Sequence, residues 1–142
     1  QPPDAGYPAN YMAGDEWETR GLDGYLWTAP VDSFPLTDAG FACQAGNVAE
    51  WTVSAFDPVS YNFTWDMNPN YTYNAKEDDP PDMKRKVVKG GSWKDIAYYL
   101  QVQTRAYEYQ DTSKSYIGFR TMQPFLGRSK DDNPAKASRV YN

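Results

Sequence analysis

The sequence predicts an irregular α+β domain in which short strands carry long, ordered loops. Three glycine-punctuated aromatic segments are the first observation: Gly46-Asn-Val-Ala-Glu-Trp-Thr52, Lys86-Val-Val-Lys-Gly-Gly-Ser-Trp-Lys94 and Tyr116-Ile-Gly-Phe-Arg-Thr121. In each, apolar residues run into or out of a glycine, where a residue without Cβ lets backbones approach closely or take a positive φ. Composition is the second: 12 Tyr, 5 Trp and 6 Phe accompany 11 Pro and 10 Gly at a mean hydropathy of -0.81. Chains so rich in aromatics and poor in aliphatics build short strands and pinned loops, with the polar tips of Tyr and Trp satisfied. Length is the third: 142 residues make one domain with room for a core, and 16% aromatic content argues against disorder.

Taken in order, residues 1–14 carry Pro2, Pro3, Gly6, Pro8 and Gly14 and are expected to be loop. Gly21-Leu-Asp-Gly-Tyr25 predicts a turn about Asp23-Gly24. Weak alternation from Leu26 to Phe34 predicts a short strand, which Pro30 and Pro35 confine to a sheet edge. Gly46 is expected to turn the chain into a buried strand bearing Val48, Trp51 and Val53. Phe56 to Tyr73 is predicted as a long loop pinned by its aromatics. Its sequons at Asn62 and Asn70 matter only in a eukaryotic secretory setting. Asn74 to Lys84, with Glu77-Asp-Asp-Pro-Pro-Asp82, is a solvated excursion, and Val87-Val88 mark the central strand. Asp95 to Val102 predicts a short helix or turn, Arg105 to Lys114 a polar connection, and Tyr116 to Met122 the last strand. Residues 130–142 are expected to form an extended tail.

Charge and cysteine usage narrow the function. A net charge of -5 supplies no basic stripe, which excludes nucleic acid as the expected partner. With no histidine, the chain by itself has no Ser-His-Asp or Cys-His machinery and no His-ligated zinc or iron. Cys43, the single cysteine, cannot form an intrachain disulfide and is expected to be a small buried apolar residue. Arg105 and Arg120 are expected to anchor internal carboxylates or carbonyls. No apolar run is long enough to span a bilayer. Beginning Gln1-Pro2-Pro3, the chain reads as a fragment or processed piece.

The three segments in that order resemble the sulfatase-modifying family of formylglycine-generating enzymes. Gly46 to Trp51 stands for its Gly-Asn-X-X-Glu-Trp motif, with Ala49 where the enzymes prefer Trp. Gly90 to Trp93 stands for Gly-Gly-Ser-aromatic, and Gly118-Phe119-Arg120 for the terminal Gly-Phe-Arg. The resemblance implies a C-type-lectin-like α+β fold, with residues 1–129 as the C-terminal portion of one such domain. It also implies two redox-active cysteines on copper, at the positions of Asp95 and Leu100. A carboxylate and a leucine cannot replace two soft thiolates, so no copper and no oxidase activity are expected. Ser92, with no base in the pattern, is expected to be a structural hydroxyl.

Loop segments resemble one branch more closely, the gliding-motility and type IX secretion lipoproteins of the GldK/PorK kind. These segments are Asp57-Pro-Val-Ser-Tyr61, Met67-Asn-Pro-Asn70, Leu100-Gln-Val102 and Tyr107-Glu-Tyr109. The GldJ paralogue shares the domain. That likeness implies a non-catalytic ring subunit assembled with itself and a GldN/PorN-type partner. It would lie at the periplasmic face of the outer membrane of Bacteroidota, held by an N-terminal lipid anchor outside this chain. The interface is expected in the loop Phe56 to Tyr73 and the tail after Pro124. The family also implies structural calcium, which takes oxygen ligands only. One site would use the Asn10 side chain, the Tyr11 carbonyl, Asp23 and the Tyr25 carbonyl; the other the Ala45, Gly46 and Val48 carbonyls and the Glu50 carboxylate. A carbohydrate-binding module is the alternative, with Trp17, Trp27 and Trp65 as stacking candidates. Asp78, Asp79 and Asp82 are expected to be solvated acids rather than a catalytic pair.

Overall fold

Two adjacent valines, Val87 and Val88, are 2% and 4% exposed, so the strand that carries them is covered on both faces. That strand, β2 (Arg85–Lys89), lies beside β1 (Ala49–Ala55) at the middle of a four-stranded sheet completed by β3 (Ala106–Tyr109) and β4 (Ile117–Gly118). The computed structural model describes residues 6–14, 20–62 and 70–122. Strand order is β3-β2-β1-β4; β2 pairs antiparallel with β1 and β3, and β4 pairs parallel with β1. Register slips between Trp51 and Ala55, where the Thr52 hydroxyl donates to the Val87 carbonyl at 3.0 Å in place of a ladder bond. Helical structure among the described residues is limited to short 3₁₀ turns at Ser60–Asn62, Pro81–Lys84 and Ala97–Leu100.

The buried apolar side chains are small: Ala9, Ala29, Ala49 and Ala55 with Phe34 and the two valines. The largest fully buried side chains are polar instead, namely Asn10, Asp23, Ser60 and Ser92. Such groups belong in an interior only when hydrogen-bonded, so the loops are held by specific polar ties more than by aliphatic bulk. Aromatic contacts add to this. Phe56 packs on Tyr107 at 4.6 Å, and the Arg85 guanidinium lies 5.4 and 5.1 Å from the two ring centres.

Several expectations need correction. No strand forms over residues 26–34, because Ala29 gives both its N–H and its carbonyl to the Asn47 side chain rather than to a neighbouring strand. β3 lies inside the predicted polar connection; its Ala-Tyr-Glu-Tyr run is too short and too mixed to register as alternation. The last strand shrinks to Ile117–Gly118, since only those residues pair with β1. Cys43 is half-exposed, not buried, and takes a φ of 46°. Trp17, Trp65, residues 63–69 of the predicted pinned loop, and the tail lie outside the described residues.

The acidic excursion holds one tie with a pH dependence. One Asp79 oxygen accepts the Lys76 N–H at 2.7 Å and the Tyr73 hydroxyl at 2.8 Å. The Lys76 amide, then Tyr73, hold the Asp79 carboxyl below its usual range, and the same bond raises the Tyr73 phenol. A carboxyl depressed on folding contributes stability above its unfolded pKa and loses it as pH falls through the folded value. The turn 76–79 is therefore expected to loosen only below the ordinary carboxylate range, as faster Lys76 amide exchange. Asp79→Asn should remove that pH dependence from the protection factor, the exchange rate taken relative to the intrinsic rate at each pH; protection that still falls through the same pH range in the variant would refute the assignment.

Candidate functional site

Two glycine turns and two buried polar residues bring the implied ligand positions together. Gly46 and Asn47 take φ of 73° and 66°, the left-handed region that glycine and asparagine tolerate best. This turn presents the Gly46 N–H to the Gly90 carbonyl at 2.8 Å and the Asn47 N–H to the Asn10 carbonyl at 2.7 Å. Trp93 N–H returns to the Asn47 carbonyl at 2.9 Å. The entry to β1, the Gly90-Gly91 turn and the N-terminal loop are thereby laced together.

Asp23, fully buried, organises the first implied site. One carboxylate oxygen accepts the Tyr11 N–H at 2.8 Å and the other the Tyr25 N–H at 3.1 Å. Asn10 is equally buried, and its amide NH₂ donates to the Trp27 carbonyl at 2.7 Å and to Asn47 Oδ1 at 3.4 Å. Both of those partners are acceptors, which fixes the amide orientation. Asn10 Oδ1 then points away from them, buried and without a hydrogen-bond partner. A buried acceptor left unpaired costs about 1–3 kcal/mol, so this atom calls for an occupant. Asn10, Tyr11, Asp23 and Tyr25 are thus one neighbourhood. An orphaned amide oxygen beside a buried carboxylate is the hard-oxygen environment that calcium fits. Among the described residues no three His, Cys, Asp or Glu side chains cluster, so such a site would depend on carbonyl and amide oxygens.

The second implied site differs. Ala45, Gly46 and Val48 lie on the same turn, but Glu50 Oε1 already accepts Arg120 Nε and Nη2, at 3.1 and 2.8 Å. The guanidinium also donates to the Ala42 carbonyl at 2.9 Å, which gives Arg120 the internal anchoring expected of it. A cation at this position would share its carboxylate with a guanidinium. The Glu50–Arg120 pair also lines a largely apolar groove of about 1060 Å³, together with Trp51, Val53, Leu100 and Val102.

Asp95 and Leu100 flank the Gly90-Gly91 turn. Asp95 Oδ2 accepts the Ser92 hydroxyl at 2.6 Å and its N–H at 3.0 Å, while Asp95 N–H returns to the Ser92 carbonyl at 2.9 Å. Ser92 is therefore a turn hydroxyl tied to a carboxylate acceptor. Leu100 closes over Gly91, where an added Cβ would lie 2.9 Å from Leu100 Cδ1. Trp27 is 66% exposed and meets Trp93 edge-on at 4.8 Å. Asn47, central to the lacing, was not among the expected site residues; asparagine directly after the motif glycine was the available signal.

The family described as the sulfatase-modifying factor enzyme 1-like domain matches residues 2–124. The formylglycine-generating enzyme of Bos taurus is 35% identical over 116 residues, covering 79% of this chain and 29% of that protein. The inactive C-alpha-formylglycine-generating enzyme 2 of Mus musculus is 26% identical over 132 residues, covering 89% of this chain and 34% of that protein. The chain therefore spans about a third or less of the length of these relatives. PvdO from Pseudomonas aeruginosa shares the fold at a TM-score of 0.57 and 22% identity, over 78% of this chain and 37% of that one.

Proposed function

The chain belongs to the sulfatase-modifying factor enzyme 1-like family, and on that premise we propose that it is a non-catalytic member with an architectural role. The observation that carries this reading is the pair of residues at the two family cysteine positions. Asp95 spends its carboxylate on the Ser92 turn, and Leu100 packs against Gly91. Neither side chain can act as a thiolate ligand or redox partner, and the only thiol in the sequence, Cys43, sits on another loop. A mouse relative named as inactive supports the existence of such members.

The finer reading is a ring subunit of the type IX secretion and gliding machinery, lipid-anchored at the periplasmic face of the outer membrane beside a GldN/PorN-type partner. Its support is the loop resemblance together with exposed apolar surface. Val53, Val102 and Met122 are 70%, 83% and 78% exposed around the apolar groove, and exposed apolar surface beside a groove is the kind that marks interaction sites. Calcium, held by Asn10, Tyr11, Asp23 and Tyr25, would supply a structural cross-link between the N-terminal loop and the 21–25 turn. No copper is part of this reading.

Gentle extraction of the full-length protein from native envelopes tests both levels. A large particle with a stoichiometric second protein, forming no aldehyde from a cysteine peptide under copper and oxygen, is the expected result. A monomer without a partner would overturn the ring role. Aldehyde formation that copper removal abolishes would overturn the non-catalytic reading.

A further inference from the structure

We propose that the pocket beside Asp95, about 190 Å³ in volume, binds a single neutral sugar residue. Its lining takes one residue from each strand, Ala49, Val88, Ala106 and Ile117; Ala49 pairs with Ile117 and Val88 with Ala106, while Val88 stands opposite Trp51, two residues along β1 from Ala49. Two of the four are alanines, and that is why the sheet is hollow here. Tyr99 and Tyr116 stand at the rim, and Tyr99 is 38% exposed, so a ring face is within reach of a ligand.

The charges around the pocket decide the ligand class. Asp95 Oδ1 lies 3.6 Å from Lys94 Nζ, and Glu108 Oε2 lies 3.7 Å from Lys114 Nζ. Lys94 Nζ also sits 4.0 Å over the Tyr116 ring. Each carboxylate thus has an ammonium neighbour, and an ionic ligand would have to displace one of those contacts. A neutral ligand would not. The carboxylates keep unused acceptor lone pairs for hydroxyl donors, and the part-exposed Tyr99 ring suits the C–H face of a pyranose. Pockets for drug-sized molecules run to about 300–1,000 Å³, so this one takes one ring rather than a chain. Trp27 does not line it and is engaged with Trp93 instead. The site is independent of the architectural role and compatible with it.

The test is saturation-transfer NMR on the full-length protein with D-glucose, D-galactose, D-mannose and N-acetyl-D-glucosamine, and with glucuronate as the charged control. At least one neutral sugar should bind saturably and glucuronate should not. Ala49→Trp should fill the hollow and abolish binding. Tyr99→Ala, a surface change that leaves the floor intact, should weaken it about 2- to 10-fold, while Trp27→Ala leaves it unchanged. An oligosaccharide ending in the same residue should bind equally if the ligand is a glycan terminus, whereas binding of the free sugar alone marks a small-molecule ligand. No saturable binding by any of the four sugars would overturn the proposal. So would binding that survives both pocket variants, or that Trp27→Ala removes.

Discussion

Gly46→Ala is expected to destabilise the domain by about 2–5 kcal/mol. Left-handed backbone costs an alanine about 1–2 kcal/mol relative to its ordinary conformations. At a φ of +73° the new Cβ would also stand 2.3 Å from the Asn10 carbonyl oxygen and 3.1 Å from Ala9 Cβ. That carbonyl accepts the Asn47 N–H at 2.7 Å, so moving it breaks a tie between the N-terminal loop and the entry to β1. Leaving that pair unmade costs about 1–3 kcal/mol more. Against a total stability of about 5–15 kcal/mol, the sum is a large share. Gly40→Ala is the matched control: its φ is +81°, yet nothing lies within 4 Å of an added Cβ. Urea unfolding of the two variants should separate strain from contact. Equal and small shifts in both would show that the close approach at Gly46 does not hold the loop.

How far the sequence foretold the structure depended on whether the information was local. The three glycine-punctuated segments became β1, β2 and the β4 edge because a glycine beside apolar residues is a local signal. The turn at Gly21 to Tyr25 formed as expected, closed by Gly24 N–H on the Gly21 carbonyl at 2.9 Å. By contrast, β3 is defined by its ladder to β2, Val87 against Tyr107 and Val88 against Ala106, and four residues carry too little alternation to show that. The strand expected over residues 26–34 is absent for a similar reason. A side chain 18 residues away, Asn47, takes the Ala29 backbone bonds a strand would have used.

The site divides along the same line. Family resemblance, not periodicity, pointed to Asn10 and Asp23; the residues themselves signal only turn chemistry. Their burial and the orphaned Asn10 oxygen appear only once two loops meet. Glu50 and Arg120, 70 residues apart, could be named singly as an acid and an anchor, but their pairing needed β1 and β4 side by side. The pocket at Ala49 was signalled only by an alanine standing where the enzymes prefer tryptophan.

Asp23→Ala is expected to cost about 2–6 kcal/mol and to abolish any stabilisation by calcium. The carboxylate is fully buried and accepts the Tyr11 and Tyr25 amides, so its loss strands two N–H groups at about 1–3 kcal/mol each. If a cation uses Asn10 Oδ1 and Asp23, it binds only the folded chain, and a concentration 100 times its Kd adds about 2.7 kcal/mol by mass action. Thermal unfolding of the wild type should then rise with calcium and fall with a chelator. Asn10→Ala and Asp23→Ala should lose that response, because each removes an oxygen from the same neighbourhood. Glu50→Gln separates the two implied sites. Its response to calcium should persist, since Glu50 is held by Arg120 and lies outside the Asp23 cluster. A wild type indifferent to calcium would mean that something other than this ion, such as a buried water, satisfies the Asn10 oxygen. The loop would then owe its order to the Asp23 amide bonds alone, and the Asp23→Ala loss would remain while the ion dependence vanished.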